Sequence, residues 1–368
     1  MTVAATPASA IERLDVSAYT IPTDAPEADG TIAWDSTTIV IVEASAGGIR
    51  GLGYSYAHEA AAVLIERTLA RVVRGLDAMD VPAAWDAMVR AIRNIGRPGI
   101  ASSAIAAVDV ALWDLKARLL GVPMVALMGA ARASIPVYGS GGFTSYSLEQ
   151  LQEQLGGWVH DGIRSVKMKV GTHPEQDIGR VRAAREAIGP DAALYVDANG
   201  AYTRKQALAF AEAFAELGVT WFEEPVSAED LEGLRLMRDR APAGMDIAAG
   251  EYGYELRYFH RMLEAGAVDV LQADATRCEG FTGFLRAATL CEARALPFSA
   301  HTSPSLHAHP CCAVPRARNV EYFHDHVRIE HMLFDGAMTA KDGALWPDLS
   351  RPGLGLELKR KDAERYAI

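Results

Sequence analysis

A rhythm in the second part of the chain most constrains the fold. Short apolar runs recur at 135–141, 165–171, 194–199, 220–225, 246–251, 268–274, 296–301 and 320–324, each starting 22–30 residues after the last. That interval holds one strand, one helix and two short connections. The segments between carry helix punctuation. Ser147 with Gln150, Thr172 with Glu175 and Thr203 with Gln206 have capping-box spacing. Pro174 suits a first helical position, and Gly162, Gly189 and Gly218 are helix stops. Ile178, Val181 and Ile188 make one apolar stripe. Eight such units predict a closed parallel (β/α)8 barrel of the α/β class. An open doubly wound sheet is the alternative, weakened because no GxGxxG or phosphate-loop motif follows any run.

The chain before the barrel reads differently. Residues 11–21 alternate loosely, and 36–44 and 49–56 form a hairpin around Ser45-Ala46-Gly47-Gly48. The segment 22–34 is polar and rich in Pro, Asp and Gly, which predicts a loop. From 59 to 120 the pattern is helical, with three helices: one through Ala62, Leu64, Ile65, Leu69 and Val72, one over 83–95, and one from Gly99 to Gly121. Residues 1–125 are therefore expected to form an α+β domain and 126–340 the barrel. Residues 341–368, charged and with a strand-like run at 354–358, are expected to pack back on the first domain.

Net charge is −11 over 368 residues, which disfavours nucleic acid or an anionic membrane as the main partner. A local cationic pocket could still take a small anion. No apolar run reaches membrane-spanning length, and the start, MTVAATPASAIERLDV, lacks the basic and apolar regions of a secretory signal. Four cysteines, Cys278, Cys291, Cys311 and Cys312, suggest neither a disulfide framework nor a CxxC metal site. The expected location is a reducing cytoplasm.

Active sites of such barrels lie at the C-terminal ends of the strands. The second run ends in Lys167-x-Lys169, whose lysines share a strand face opposite Val166, Met168 and Val170. A surface strand with its lysines in water gives the same pattern. If both face a closed interior, two charges about 6–7 Å apart repel by roughly 2.5 kcal/mol at an effective dielectric of about 20. That would lower one lysine's pKa by up to roughly two pH units and suit it to act as a base. Asp197, Glu223 and Glu251 end the next three runs. One strand-end carboxylate is ordinarily a helix cap, but three in succession converge on an all-oxygen site that favours Mg²⁺. Glu224 falls off that face and reads as a structural partner. Asn199 shares Asp197's face and could touch substrate. His301 ends the seventh run and Asp274 the sixth; an aspartate on one ring nitrogen would fix the tautomer and support the imidazolium. Lys169 and His301 would reach the centre from opposite sides.

This set resembles the enolase superfamily, in particular its mandelate racemase subgroup. The matching motifs are Lys167-x-Lys169, Asp197, the Glu223-Glu224-Pro225 turn, Gly250-Glu251, the Asp274/His301 pair and Glu321. The resemblance covers nearly the whole chain and implies a modified TIM barrel with an N-terminal α+β capping domain. It implies Mg²⁺ on Asp197, Glu223 and Glu251, Lys169 and His301 as the acid/base pair with Asp274 behind the histidine, and Lys167 charged beside the substrate carboxylate. Glu321 would hydrogen-bond the enolate, and Ser140 would bind the carboxylate. Arg277 departs from the lysine or asparagine that relatives often carry there. The expected function is an acid-sugar dehydratase that removes the proton α to a carboxylate and forms a 2-keto-3-deoxy acid. A racemase or epimerase of a 2-hydroxy acid is the alternative, and a non-catalytic binding protein the remote one. A homo-oligomer is expected from the family. His307-Ala308-His309 and His324-Asp325-His326 have metal-like spacing but read as structural or pocket-lining, and Cys311-Cys312 as buried thiols. Trp34, Tyr56 and His58 lie in segments that could close the pocket.

Overall fold

The computed structural model describes residues 9–368. An antiparallel sheet opens the chain, in the order β1 (Arg13–Ala28), β2 (Ala33–Ala46) and β3 (Ile49–Tyr56). The polar segment 22–34 is not a loop. β1 and β2 pair on through it, with a register shift between Pro22 and Glu27, down to Ala28 opposite Ala33. Pro22 and Pro26 disfavoured a strand in the sequence, but a proline is tolerated at a bulge or an edge. The product is a long ribbon reaching beyond the sheet.

Helices Val81–Ala91 and Ile100–Leu119 pack beside the sheet, after a helical segment Ala60–Val73 with a π-turn at Ile65–Leu69. Helix Ile100–Leu119 is buried on nearly all sides because it lies between the sheet and the barrel. Small residues make that possible. A Cβ added at Gly51 would sit 2.2 Å from the Leu115 nitrogen, and one at Gly53 2.3 Å from the Ala107 oxygen. On its barrel side, Asp109 accepts hydrogen bonds from the Thr282 amide (3.0 Å) and hydroxyl (2.6 Å).

The eight expected strands form a closed parallel barrel: β4 (Ile135–Gly141), β5 (Ser165–Lys169), β6 (Ala193–Asp197), β7 (Val219–Glu223), β8 (Asp246–Ala249), β9 (Val270–Ala273), β10 (Phe298–Ala300) and β11 (Ala317–Phe323). β11 pairs with β4, which excludes the open sheet. Strand β5 is buried on both faces: Val166 and Met168 pack outward against the helices, and both lysines are closed in. Inside, Tyr138, Tyr195, Trp221, Ala248 and Val270 fill the barrel below the site. The Tyr195 and Trp221 rings stack 5.1 Å apart. This is a packed plug rather than a channel.

Two of the three expected capping boxes form, at Ser147/Gln150 and Thr203/Gln206. The third does not: the helix Pro174–Ile188 starts after His173, and the Thr172 hydroxyl instead donates to the Asp29 carbonyl at 2.5 Å. Tertiary contact with the ribbon outcompetes the local cap. Ile178, expected in that helix's buried stripe, is exposed, whereas Val181 and Ile188 are buried. The tail first adds a short strand, β13 (Ala344–Leu345), antiparallel to β4. It then reaches the helix and sheet of the first domain, where the Leu354 amide donates to Asp114 (2.6 Å) and Arg360 pairs with Glu43. Before it, β12 (Phe334–Asp335) pairs with β14 (Glu357–Leu358).

Candidate active site

Strand register brings the charged residues together. Lys169 is level with Asp197, and Asp197 with Glu223, across three adjacent strands. Lys167 lies one layer deeper, level with Tyr195, and Trp221 continues that row. Side chains two residues apart on a strand share a face, so β5 sends both lysines inward at different depths.

The deeper lysine is locked in place. Lys167 Nζ is 2.5 Å from Glu223, 2.8 Å from Glu321 and 3.3 Å from Asp197, all without solvent exposure. Lys169 Nζ donates to Asp197 Oδ2 at 2.6 Å and to Asn199 Oδ1 at 3.1 Å. Burial pushes both ammonium pKa values down, but the surrounding carboxylates outweigh it, and both are raised. The pKa lowering expected from like-charge repulsion is therefore overturned. The two lysines do oppose each other, but Asp197, Glu223 and Glu321 outnumber them at closer range.

Asp197, Glu223 and Glu251 converge, with one oxygen from each lying within 4.8 Å of the others. Burial raises the Glu223 pKa, with Asp197 adding to it, whereas the two lysines overcome burial at Asp197 and lower its pKa. Trp221 Nε1 (2.9 Å) and Gln272 Nε2 (3.0 Å) donate to Glu223 Oε2 and fix the carboxylate's orientation. Glu251 Oε2 is buried without a hydrogen bond. Three buried carboxylates with such an orphaned oxygen make a donor set suited to a hard cation. Glu224 lies outside the trio, buried at φ +39°, and lines a neighbouring cavity.

On the other side, His301 Nδ1 bonds Asp274 Oδ2 at 2.9 Å, and Nε2 stands 3.4 Å from Glu251 and 3.7 Å from Glu321. Asp274 also accepts from the Thr276 amide and hydroxyl, both at 2.7 Å. Burial opposes its charge, but His301 first, then His307 and Arg277, hold its pKa well below the usual range. Glu321 accepts from the Ser140 hydroxyl at 2.5 Å and the Thr302 amide at 3.1 Å. Ser140 is thus fully buried against Glu321 rather than open to the cavity. After His301, Thr302 and Ser303 are both left-handed, at φ +51° and +42°. Such residues cost about 1–3 kcal/mol each and persist where surrounding contacts hold them. Here they aim successive amides at Glu321 and at His326 Nδ1.

A cavity of about 390 Å³ covers these groups. Lys169, Asn199, Glu251, Asp274, His301 and Glu321 face it from the barrel; Trp34, Thr37, Thr38, Tyr56 and His58 face it from the first domain. Two further lining residues were named in the sequence but given no part in the chemistry. Arg277 lies 3.3 Å from Glu251 and 3.7 Å from Asp274, tying the two clusters. His326 stacks on Tyr56. The other histidines of the two short motifs are structural. His307 bridges the Ala275 amide and the Thr302 carbonyl, His309 meets the Leu354 carbonyl, and His324 pairs with Asp24.

A capped parallel barrel whose acidic trio, suited to a hard cation, lies between a lysine and an aspartate-backed histidine defines the class. Its family follows from comparison with known proteins. Residues 17–129 match the mandelate racemase/muconate lactonizing enzyme N-terminal domain, and residues 150–363 the enolase C-terminal domain-like family. The chain belongs to the mandelate racemase/muconate lactonizing enzyme family of the enolase superfamily. It is 32% identical to a 3,6-anhydro-alpha-L-galactonate cycloisomerase of Streptomyces coelicolor, over 97% of this chain and 99% of that protein. It is 31% identical to the L-talarate/galactarate dehydratase of Salmonella typhimurium, over 95% of this chain and 89% of that one. A structure of that dehydratase with Mg and L-lyxarohydroxamate superposes with a TM-score of 0.90, covering 98% of this chain and 93% of that one at 29% identity. A mandelate racemase/muconate lactonizing enzyme-like protein from Rubrobacter xylanophilus is 58% identical with a TM-score of 0.96, covering 98% of this chain and 100% of that one. Among the described residues no helix is long and apolar enough to cross a membrane.

Proposed function

We propose that this chain is a Mg²⁺-dependent dehydratase of acid sugars. The observation that carries the reading is that Lys169 and His301 open onto one cavity from the two sides of the acidic trio. Asp197, Glu223 and Glu251 would hold the ion. Mg²⁺ there would supply positive charge where the substrate carboxylate gathers it and would offset the carboxylate charge that keeps Lys169 protonated. Lys169 then takes the C2 proton, and the electron pair moves into the carboxylate to give an enediolate. Lys167, fixed and charged beneath, counters the added charge. Glu321 faces the developing enolate, Asn199 steers Lys169 and meets the substrate, and Ser140 acts on the carboxylate end through Glu321. His301, its Nδ1 proton held by Asp274, gives a proton from Nε2 to the C3 hydroxyl. The C3–O bond breaks, water leaves, and the enol becomes a 2-keto-3-deoxy acid with a solvent proton at C3.

The Streptomyces relative favours a second reading. If the leaving oxygen belongs to a ring of the substrate, the same steps open the ring, and the product keeps every atom. Racemisation is a third outcome of the same residues, with His301 returning the proton to the opposite face of C2.

Proton NMR in D₂O separates these, using Mg²⁺ and a panel of aldonic, aldaric and anhydro-sugar acids plus mandelate. A 2-keto-3-deoxy acid carrying deuterium at C3 is the expected product. An isomer of unchanged composition would establish cycloisomerisation, and C2 exchange with inversion would establish a racemase or epimerase. No exchange with any of them would remove the acid-sugar reading.

A further inference from the structure

His326 and His301 line the same cavity but are built in opposite ways. His301 has the Asp274 carboxylate on Nδ1. His326 has a backbone donor there: the Ser303 amide points at Nδ1 at 3.4 Å. An N–H aimed at Nδ1 demands a lone pair on that nitrogen, so the ring proton sits on Nε2. Burial, with His301 nearby, also holds the His326 pKa well below its ordinary range. The ring is therefore a neutral, one-sided donor. It cannot swivel, because Tyr56 stacks on it at 3.4 Å between centroids and 13° between planes, and Phe323 closes its edge at 5.1 Å. Nε2–H makes no hydrogen bond to any described residue, although the histidine is only 8% exposed.

A donor fixed on the cavity wall with no protein partner is left to water or to a ligand's acceptor. Packing does not explain it, since a phenylalanine would stack on Tyr56 equally well without presenting an N–H to the cavity. The adjoining left-handed residues Thr302 and Ser303 are held in strained backbone so that one amide orients Glu321 and the next orients His326. The two groups are thus set by one turn.

We propose that His326 Nε2 is a specificity-determining donor for an oxygen on the substrate's carbon chain, away from the carboxylate, selecting hydroxylated acids over apolar ones. This rests on reading the cavity as the site that binds an acid at a cation. A substrate without an oxygen at that point would leave the donor unpaired, and sites built to hydrogen-bond a hydroxyl discriminate strongly against analogues lacking it.

The test uses the full chain with Mg²⁺, titrated by calorimetry with L-lyxarohydroxamate, which carries a hydroxylated chain, and with acetohydroxamate, which carries none. His326→Phe keeps the ring stack and removes the donor; His326→Gln keeps an amide donor. The wild type is expected to prefer L-lyxarohydroxamate. His326→Phe should weaken it about tenfold while leaving acetohydroxamate within about twofold, with His326→Gln in between. Equal losses for both hydroxamates, or no loss for either, would overturn the proposal, as would a wild type that binds acetohydroxamate as tightly as L-lyxarohydroxamate. If neither bound the wild type in a Mg²⁺-dependent way, the reading of the cavity itself would fall, and this inference with it.

Discussion

On the cavity floor, Lys167, Asp197, Glu223 and Glu321 are closed to solvent, and each touches at least one of the others. On the rim, Thr37, Thr38 and Tyr56 are half-buried and stand on the antiparallel sheet, and His58, just past the end of β3, is exposed. The floor is a network in which every charge is set by its neighbours, so removing one member unbalances the rest. The rim is a row of mostly neutral groups joined to the barrel by a few separate bonds: Thr37 to Asp325 (2.5 Å), Tyr54 to Glu330 (2.6 Å) and the Tyr56–His326 stack. The difference teaches a division of labour. Chemistry needs a rigid, preorganised charge pattern, whereas selection among related substrates needs positions that can change one at a time.

The largest effects are expected on the floor. Lys169→Met should reduce C2 proton exchange by about 10³-fold or more, read by NMR in D₂O. His301→Asn should slow water loss by a similar factor while C2 exchange persists, because the proton is taken on the other side. Equal loss of both signals in both variants would break the two-sided assignment. Asp274→Asn should cost about 10²-fold or more in turnover by releasing the histidine tautomer, measured as kcat against wild type at fixed Mg²⁺.

The metal has a readout of its own. Trp221 donates to Glu223, so titrating Mg²⁺ should change tryptophan fluorescence. Glu223→Gln should abolish that change, and chelation should reverse it in the wild type. A signal that survives the substitution would place the ion elsewhere.

The seam between floor and rim should show in stability. Burial raises the Glu330 pKa to about 7 from an ordinary 4.5. Between those values the folded chain holds a proton that the unfolded chain has released. Stability at this group is therefore greatest below about pH 4.5, falls as pH rises through 7, and stays lower above. Glu330→Gln should flatten that fall, an effect of order 3 kcal/mol at most, measured by denaturant unfolding at pH 5 and pH 8. Smallest of all, Thr37→Val on the rim should cost about 1 kcal/mol of stability and shift KM only a few-fold, with kcat held. A large loss of kcat would mean that rim and floor are not separable.

The floor was far more legible in the sequence than the rim. Lys167, Lys169, Asp197, Glu223, Glu251, Asp274, His301 and Glu321 could all be placed at strand ends, and the structure brings all of them to one end of the barrel. The ribbon at 22–34 could not, because its prolines and acidic residues match a loop locally and only pairing with β2 makes it a strand. Thr172 was assigned to a helix cap on spacing alone, yet the ribbon takes its hydroxyl. Arg277 and His326 follow their strands by a few residues, where no period fixes direction.

In a parallel barrel a residue's position along its strand settles which end and which face it occupies, so the repeating pattern by itself determined the architecture and the membership of the floor. Only the tertiary structure decided the charge state of the lysines, the reach of the ribbon and the pinned tautomer of His326. Each of these depends on groups far apart in the chain, and electrostatic and hydrogen-bond energies follow distances in space, which no local pattern encodes.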